Sequence, residues 1–174
     1  MTNNKNTTYI GLIDPKSPTN VGSVMRAAGC YAVDSVFYSG DRYTFAKQFN
    51  TDTQNARHKI PLTQTEHLLN NVKENMSIVC VDLIEGATPL PEFKHPENAI
   101  YIFGPEDGSI SQSIIDAADH AVYVPTIGCM NLAATVNVLL YDKLAKSLAP
   151  GKNDELIRKS RDTNNRTIFN KTAE

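Results

Sequence analysis

Phe103-Gly-Pro-Glu-Asp-Gly-Ser-Ile-Ser111 is the stretch on which the fold turns. The apolar run before it, Ala99-Ile-Tyr-Ile-Phe103, is rich in β-branched and aromatic residues and stops at Gly-Pro-Glu. That pattern predicts a buried strand, with a helix from Ser111 to Ala118 beyond the break. Gly104 lets a backbone pass close to a ligand, and Pro105 sets the turn. Glu106 falls near the start of the next helix, where unpaired amides favour a carboxylate. Strand-to-helix junctions are where α/β proteins place their ligands. Glu106 can cap the turn or shape a site, and this stretch alone fits both readings.

Two other segments have the same character. Upstream, Tyr9-Ile-Gly-Leu-Ile13 reads as a strand, and Asp14-Pro-Lys-Ser-Pro-Thr-Asn20 as a turn whose two prolines exclude helix. Asn20 then caps a helix through roughly Val33, carrying Val21, Val24, Met25, Ala28 and Cys30. Gly22 and Arg26 lie one turn apart on one face, so the helix start and the guanidinium together suit a phosphate. By itself the segment is more simply a helix with a packing glycine and a surface arginine. Downstream, Val124-Pro-Thr-Ile-Gly-Cys-Met-Asn-Leu132 ends the strand His120–Val124 and opens the longest helix, Asn131–Leu148. Asn131 can cap that helix or hydrogen-bond a substrate. Cys129 has no histidine near it in sequence, which favours a small apolar role over that of a nucleophile.

Between these segments, strands are expected at Ser35–Tyr38, Lys59–Thr63 and Ser77–Leu83, and a helix at Glu66–Glu74. Residues 41–58 suggest a short helix and loop, and residues 86–97, with three prolines, a surface connection. The long helix carries Leu132, Val136, Leu139, Leu140, Leu144 and Leu148 on one broad face, suited to a core or to a subunit interface. Strands alternating with helices predict an α/β fold with a mostly parallel sheet. One domain over residues 1–174 is expected, with a polar tail at 1–8 and a polar extension at 150–174.

Composition narrows the function. A chain of 174 residues with 41% hydrophobic content can bury a core without staples. No apolar run approaches the roughly 20 residues that span a bilayer. The polar start lacks a signal core, so the expectation is a cytoplasmic protein with no membrane association. The three cysteines, Cys30, Cys80 and Cys129, lie far apart in apolar surroundings and read as reduced thiols. The four histidines are scattered, so no metal is expected. A net charge of −2 means that any nucleic acid must meet a local patch. Candidates are Arg42, Lys47, Arg57, His58 and Lys59, or Lys152, Arg158, Lys159, Arg161 and Arg166. Neither Gly-x-Gly-x-x-Gly nor a Walker-type loop is present, which argues against dinucleotide and nucleoside-triphosphate sites.

In this order and spacing the three segments resemble the SpoU/TrmH family of SPOUT methyltransferases, over roughly Tyr9 to Ala149. Asn20 to Arg26 is similar to the family's first motif, Gly104-Pro-Glu106 to its second, and Val124-Pro125 with Cys129-Met-Asn131-Leu132 to its third. Two positions depart from the pattern. Ser109 stands at the last glycine position of the second motif, Gly-x-Glu-x-x-Gly-Leu-Ser, with Gly108 before it, and Cys129 stands where the third motif carries serine. A thiol is the weaker hydrogen-bond donor.

The resemblance implies a C-terminal trefoil knot, which periodicity does not suggest because knots are rare. It also implies a homodimer that methylates a ribose 2′-hydroxyl of RNA, with S-adenosylmethionine held by backbone groups of the knotted loops. On this resemblance Arg26 is catalytic on the acceptor side, with Asn20, Glu106 and Asn131 beside it. Leu83, Gly104, Val124, Cys129 and Leu132 contact the cofactor. Small members of the family act mostly on transfer RNA, which places tRNA ahead of rRNA. Two alternatives remain. One is a catalytically weak RNA-binding or assembly protein that keeps the fold, favoured by Cys129, Ser109 and the acidic pI; the other is methylation of an RNA base.

Overall fold

The computed structural model describes residues 6–46, 60–148, 151 and 153–169. Its strands are β1 (Thr8–Leu12), β2 (Ser35–Tyr38), β3 (Leu62–Gln64), β4 (Ser77–Val81), β5 (Thr88–Pro89), β6 (Ala99–Phe103) and β7 (His120–Tyr123). The helices are α1 (Pro18–Cys30), α2 (Arg42–Ala46), α3 (Gln112–Asp116), α4 (Leu132–Ser147) and α5 (Asp154–Ser160). The strands form one sheet in the order β3-β2-β1-β6-β4-β7-β5, with every pair parallel. This is the α/β architecture expected, and β6 has the limits read from the sequence.

Parallel strands covered on both faces need apolar residues at successive positions, and β1 and β6 are buried throughout. Alternation still sorts their side chains. Ala99, Tyr101 and Phe103 join Ile10, Leu12, Val79 and Val81 under α1 and α4. Ile100 and Ile102 face the other way, against Tyr9, Leu68 and Met76. Burying each large side chain contributes roughly 1.5–3 kcal/mol. The apolar stripe Val21, Val24, Met25 and Ala28 turns α1 inward, where it packs against α4.

Several local expectations are corrected. Ser17, not Asn20, caps α1: its Oγ accepts from the Asn20 amide at 3.3 Å. Pro18 occupies the first helical position, where its missing N–H costs nothing, and the helix ends at Cys30, short of Val33. Asn20 is thereby inside the helix with its side chain free for other work. The helix expected at Glu66–Glu74 is a 3-10 turn at Leu68–Asn71, because Asn71 Nδ2 donates back to the His67 and Leu68 carbonyls. The strand expected at Lys59–Thr63 lies at Leu62–Gln64, and α2 starts the segment after β2. The remainder of that segment, 47–59, falls outside the described residues.

The proline-bearing stretch 86–97 is more than a surface connection. Thr88–Pro89 pairs with β7, while Leu90 and Phe93 are buried. Lys146 of α4 donates to the carbonyls of Leu90 (2.6 Å) and Phe93 (2.9 Å) and pairs with Asp142. His95 sits between Tyr101 Oη and Asp142, each at 2.8 Å. This network seats α4. Of the long helix's expected face, Leu132, Val136, Leu139 and Leu140 are buried, but Leu144 and Leu148 remain 39% and 57% exposed.

Val81 at the end of β4 and Thr88 at the start of β5 both register with Val122, on opposite sides of β7. Residues 82–87 therefore cross over β7, and the strand added later runs beneath a loop laid down earlier. That arrangement is consistent with the trefoil crossing. No described helix is long and apolar enough to cross a membrane. Cys80 is buried, and burial pushes its thiol up to about 11, whereas Cys30 and Cys129 are exposed rather than set in apolar surroundings.

Candidate active site

The carboxyl ends of β4, β6 and β7 open into one cleft. Its walls are the loops that follow these strands, closed by the first turn of α4. Leu83, Gly104, Val124, Cys129 and Leu132 all line it, as does Glu106. Three separate stretches thus converge because their strands lie side by side in a parallel sheet. A side chain at position 104 would place its Cβ 3.0 Å from Asp82 Oδ2 and 3.4 Å from the Ile110 amide nitrogen, so glycine keeps this wall open. Gly108 also lines the cleft, and a Cβ there would lie 3.2 Å from Pro105 Cγ. Ser109, the departure from the family pattern, is exposed, outside the lining and free of positive φ. Gly108 therefore supplies the close approach in this loop.

At the mouth of the cleft, three amide or carboxyl side chains form a directed relay. Asn131 Oδ1 accepts from the amides of Ala133 (2.8 Å) and Ala134 (3.4 Å), which caps α4. That leaves Asn131 Nδ2 to donate to Asn20 Oδ1 at 2.8 Å. Asn20 Nδ2 in turn donates to Glu106 Oε1 at 3.1 Å. The carboxylate also accepts from the Lys16 amide at 2.9 Å and the Ser17 amide at 3.2 Å. Partial desolvation works against its charge, but the donors from Lys16, Asn20 and Ser17 outweigh it and hold the carboxyl below the usual range. Glu106 thus serves the entrance to α1, not α3 as the sequence suggested. The anion at this helix start is the protein's own.

Arg26 lies exposed on α1, opposite the buried stripe, and does not line the cleft. Gly22 is exposed on the same face with nothing within 4 Å of a would-be Cβ, so packing does not require a glycine there. Arg42 is not the free cation that sequence suggested. Its Nη1 donates to both oxygens of Asp107 at 2.8 Å, and its Nε pairs with Asp14 Oδ2 at 2.8 Å. The Asp107 hydrogen bond foremost raises the guanidinium pKa, and Arg42 in turn lowers that of Asp107. Through Asp14 and Asp107, Arg42 ties the loop before α1 to the loop after β6 that carries Glu106. Arg158 and Arg166 are exposed, Arg161 is partly buried, and Lys159 pairs with Glu155 at 2.6 Å. Lys47, Arg57, His58, Lys59 and Lys152 lie outside the described residues.

Asp107, as the partner of Arg42, and Asp82 escaped the sequence reading. Arg42 and Asp107 stand 65 positions apart, and no local spacing links them. Asp82 lines the cleft, with Oδ1 accepting from the Leu83 amide at 2.7 Å and Oδ2 from the Ile110 amide at 3.3 Å. The signal for Asp82 was available: it is an acidic residue closing the apolar run Ile78–Val81.

Comparison with solved structures supports the fold. The chain is 16% identical to the SpoU methyltransferase AviRb from Streptomyces viridochromogenes in complex with the cofactor AdoMet, with a TM-score of 0.67 over 82% of this chain and 58% of that one. It therefore spans less than two thirds of AviRb. It is also 16% identical to the A. aeolicus TrmH/SpoU tRNA modifying enzyme, with a TM-score of 0.69 over 88% of this chain and 87% of that one. A protein studied for the 2-OH methylation of C/U34 on tRNA matches at 16% identity and a TM-score of 0.69, over 83% of this chain and 93% of its own. No curated protein sequence matches. Residues 7–141 match the SpoU rRNA Methylase family model, and that span takes in every strand and all three motif segments. The chain belongs to the SpoU rRNA methylase family.

Proposed function

We propose that the protein methylates a ribose 2′-hydroxyl of RNA with S-adenosylmethionine, acting as a homodimer on transfer RNA ahead of ribosomal RNA. The relay Asn131–Asn20–Glu106 carries this reading, because it joins three distant segments at the mouth of one cleft. The cleft suits the cofactor: its wall is built from the strand ends and the loops that follow them, and Gly104 holds open a gap that a Cβ would narrow. Leu83, Gly104, Val124, Cys129 and Leu132 would hold it. When bound, S-adenosylmethionine supplies a sulfonium methyl, and the electron pair of the broken carbon–sulfur bond stays on sulfur in the neutral thioether S-adenosylhomocysteine.

The protein's own task is then alignment, which contributes several kcal/mol in such transfers. The relay fixes the loop after β6 against α1 and α4. Arg26 keeps its proton, since a guanidinium pKa exceeds about 12, and so orients an RNA phosphate on the acceptor side, through which the hydroxyl proton leaves to solvent. Val138, Tyr141, Leu144 and Leu148 form an exposed apolar stripe on α4, which supports a second subunit there. The AdoMet complex of AviRb and the tRNA substrates named for the other two relatives support the cofactor and the RNA class.

The test uses purified protein, methyl-labelled S-adenosylmethionine, and tRNA and rRNA from cells lacking the protein. Mass spectrometry of the digested nucleosides should find one new ribose methylation in tRNA. A methylated base, or label in rRNA alone, would replace the substrate assignment. RNA binding without transfer would favour the assembly protein instead.

A further inference from the structure

Asp82 has no part in the alignment just described, yet it stands in the cleft wall. The described lining residues include two carboxylates, Asp82 and Glu106, and no lysine, arginine or histidine. Glu106 is engaged by Lys16, Ser17 and Asn20 on the α1 side. Asp82 is engaged only by two neutral amide donors, those of Leu83 and Ile110, and no ion pair joins it to a described residue. Those donors leave each oxygen with further acceptor capacity and the negative charge without a counter-ion among the described residues. Such a wall is matched to a ligand that brings positive charge.

We infer that Asp82 is a specificity-determining residue that makes this cleft prefer a cationic methyl donor over its neutral thioether product. The inference rests on the reading of the cleft as an S-adenosylmethionine site. Donor and product share the adenosine and amino-acid groups and differ by one methyl and one positive charge, so charge is the main handle for telling them apart. In a partly desolvated cleft, one carboxylate facing such a charge would change an equilibrium by about fivefold. Transfer removes the charge and with it this attraction, so the product is released more readily than the donor.

Isothermal calorimetry on the full chain tests this with S-adenosylmethionine, S-adenosylhomocysteine and sinefungin, which carries an ammonium near the position of the sulfonium. The wild type should bind both cationic ligands about fivefold more tightly than the thioether. Asp82→Asn should bring all three within about twofold, and Asp82→Glu should restore the preference. Equal affinities in the wild type overturn the inference without any variant. So does an Asp82→Asn protein that weakens all three ligands alike, since Asp82 would then only brace the loops. If Asp82→Asn fails to fold, the wild-type ranking and Asp82→Glu decide. Failure of all three ligands to bind the wild type would instead remove the cofactor reading on which the inference rests.

Discussion

The proposed function gives Arg26 and Glu106 different tasks, and each has its own readout. Arg26 makes no contribution to the cleft wall, so Arg26→Ala should leave S-adenosylmethionine affinity within about twofold in calorimetry. Losing a charged positioning group should lower methyl incorporation into RNA by roughly 10²-fold or more; full transfer with intact cofactor binding would remove Arg26 from the chemistry. Glu106 has a pH signature. Its folded pKa lies below the unfolded value of about 4.3, so its stabilising contribution is present above that pH and is lost as pH falls through the folded value. Glu106→Gln should therefore melt roughly 2–4 °C below wild type at pH 7, equivalent to about 1 kcal/mol for an exposed carboxylate. The gap should close below about pH 4; a gap independent of pH would mean that the charge is not what matters. The carboxylate was legible in Gly104-Pro-Glu106. Its donors were not, because Lys16 and Ser17 stand 90 and 89 positions away.

Among the elements, α4 carries both a helix cap and a link to α1 through the single side chain of Asn131. The two are separable. Asn131→Ala removes both and should cost about 1 kcal/mol of stability. Asn131→Asp keeps an acceptor for the Ala133 and Ala134 amides, and its charge is favoured at a helix start, so melting should stay at or above the wild-type temperature. It loses the donor to Asn20, and methyl transfer should fall at least tenfold, on the order of 1.4 kcal/mol or more. Full activity in a stable Asn131→Asp protein would make the relay incidental. Elements whose signal was local were legible: β6 from its apolar run and α4 from its period and cap. The stretch 86–97 was not, since its prolines pointed to the surface while α4, some fifty residues on, buries Leu90 and Phe93. The 68–71 turn was missed because one side chain, Asn71, competes with the helix for backbone carbonyls.

For the whole molecule, the exposed stripe on α4 predicts assembly. Light scattering should give twice the chain mass of 19.2 kDa, and Tyr141→Asp combined with Leu144→Asp should give the single mass with an unchanged far-ultraviolet spectrum. A monomeric wild type would remove the dimer from the proposal. The sequence by itself determined the α/β class, the limits of β6, the cap of α4 and the three segments that meet at the cleft, because periodicity, turn chemistry and motif spacing are local. Only the tertiary structure decided which side chains meet. Asn131 finds Asn20 across 111 residues, Asn20 finds Glu106 across 86, and Arg42 finds Asp107 across 65. These pairings follow from strand order, with β1 beside β6 and β7 beside β4, and that order is set by burying both faces of a parallel sheet rather than by any local repeat.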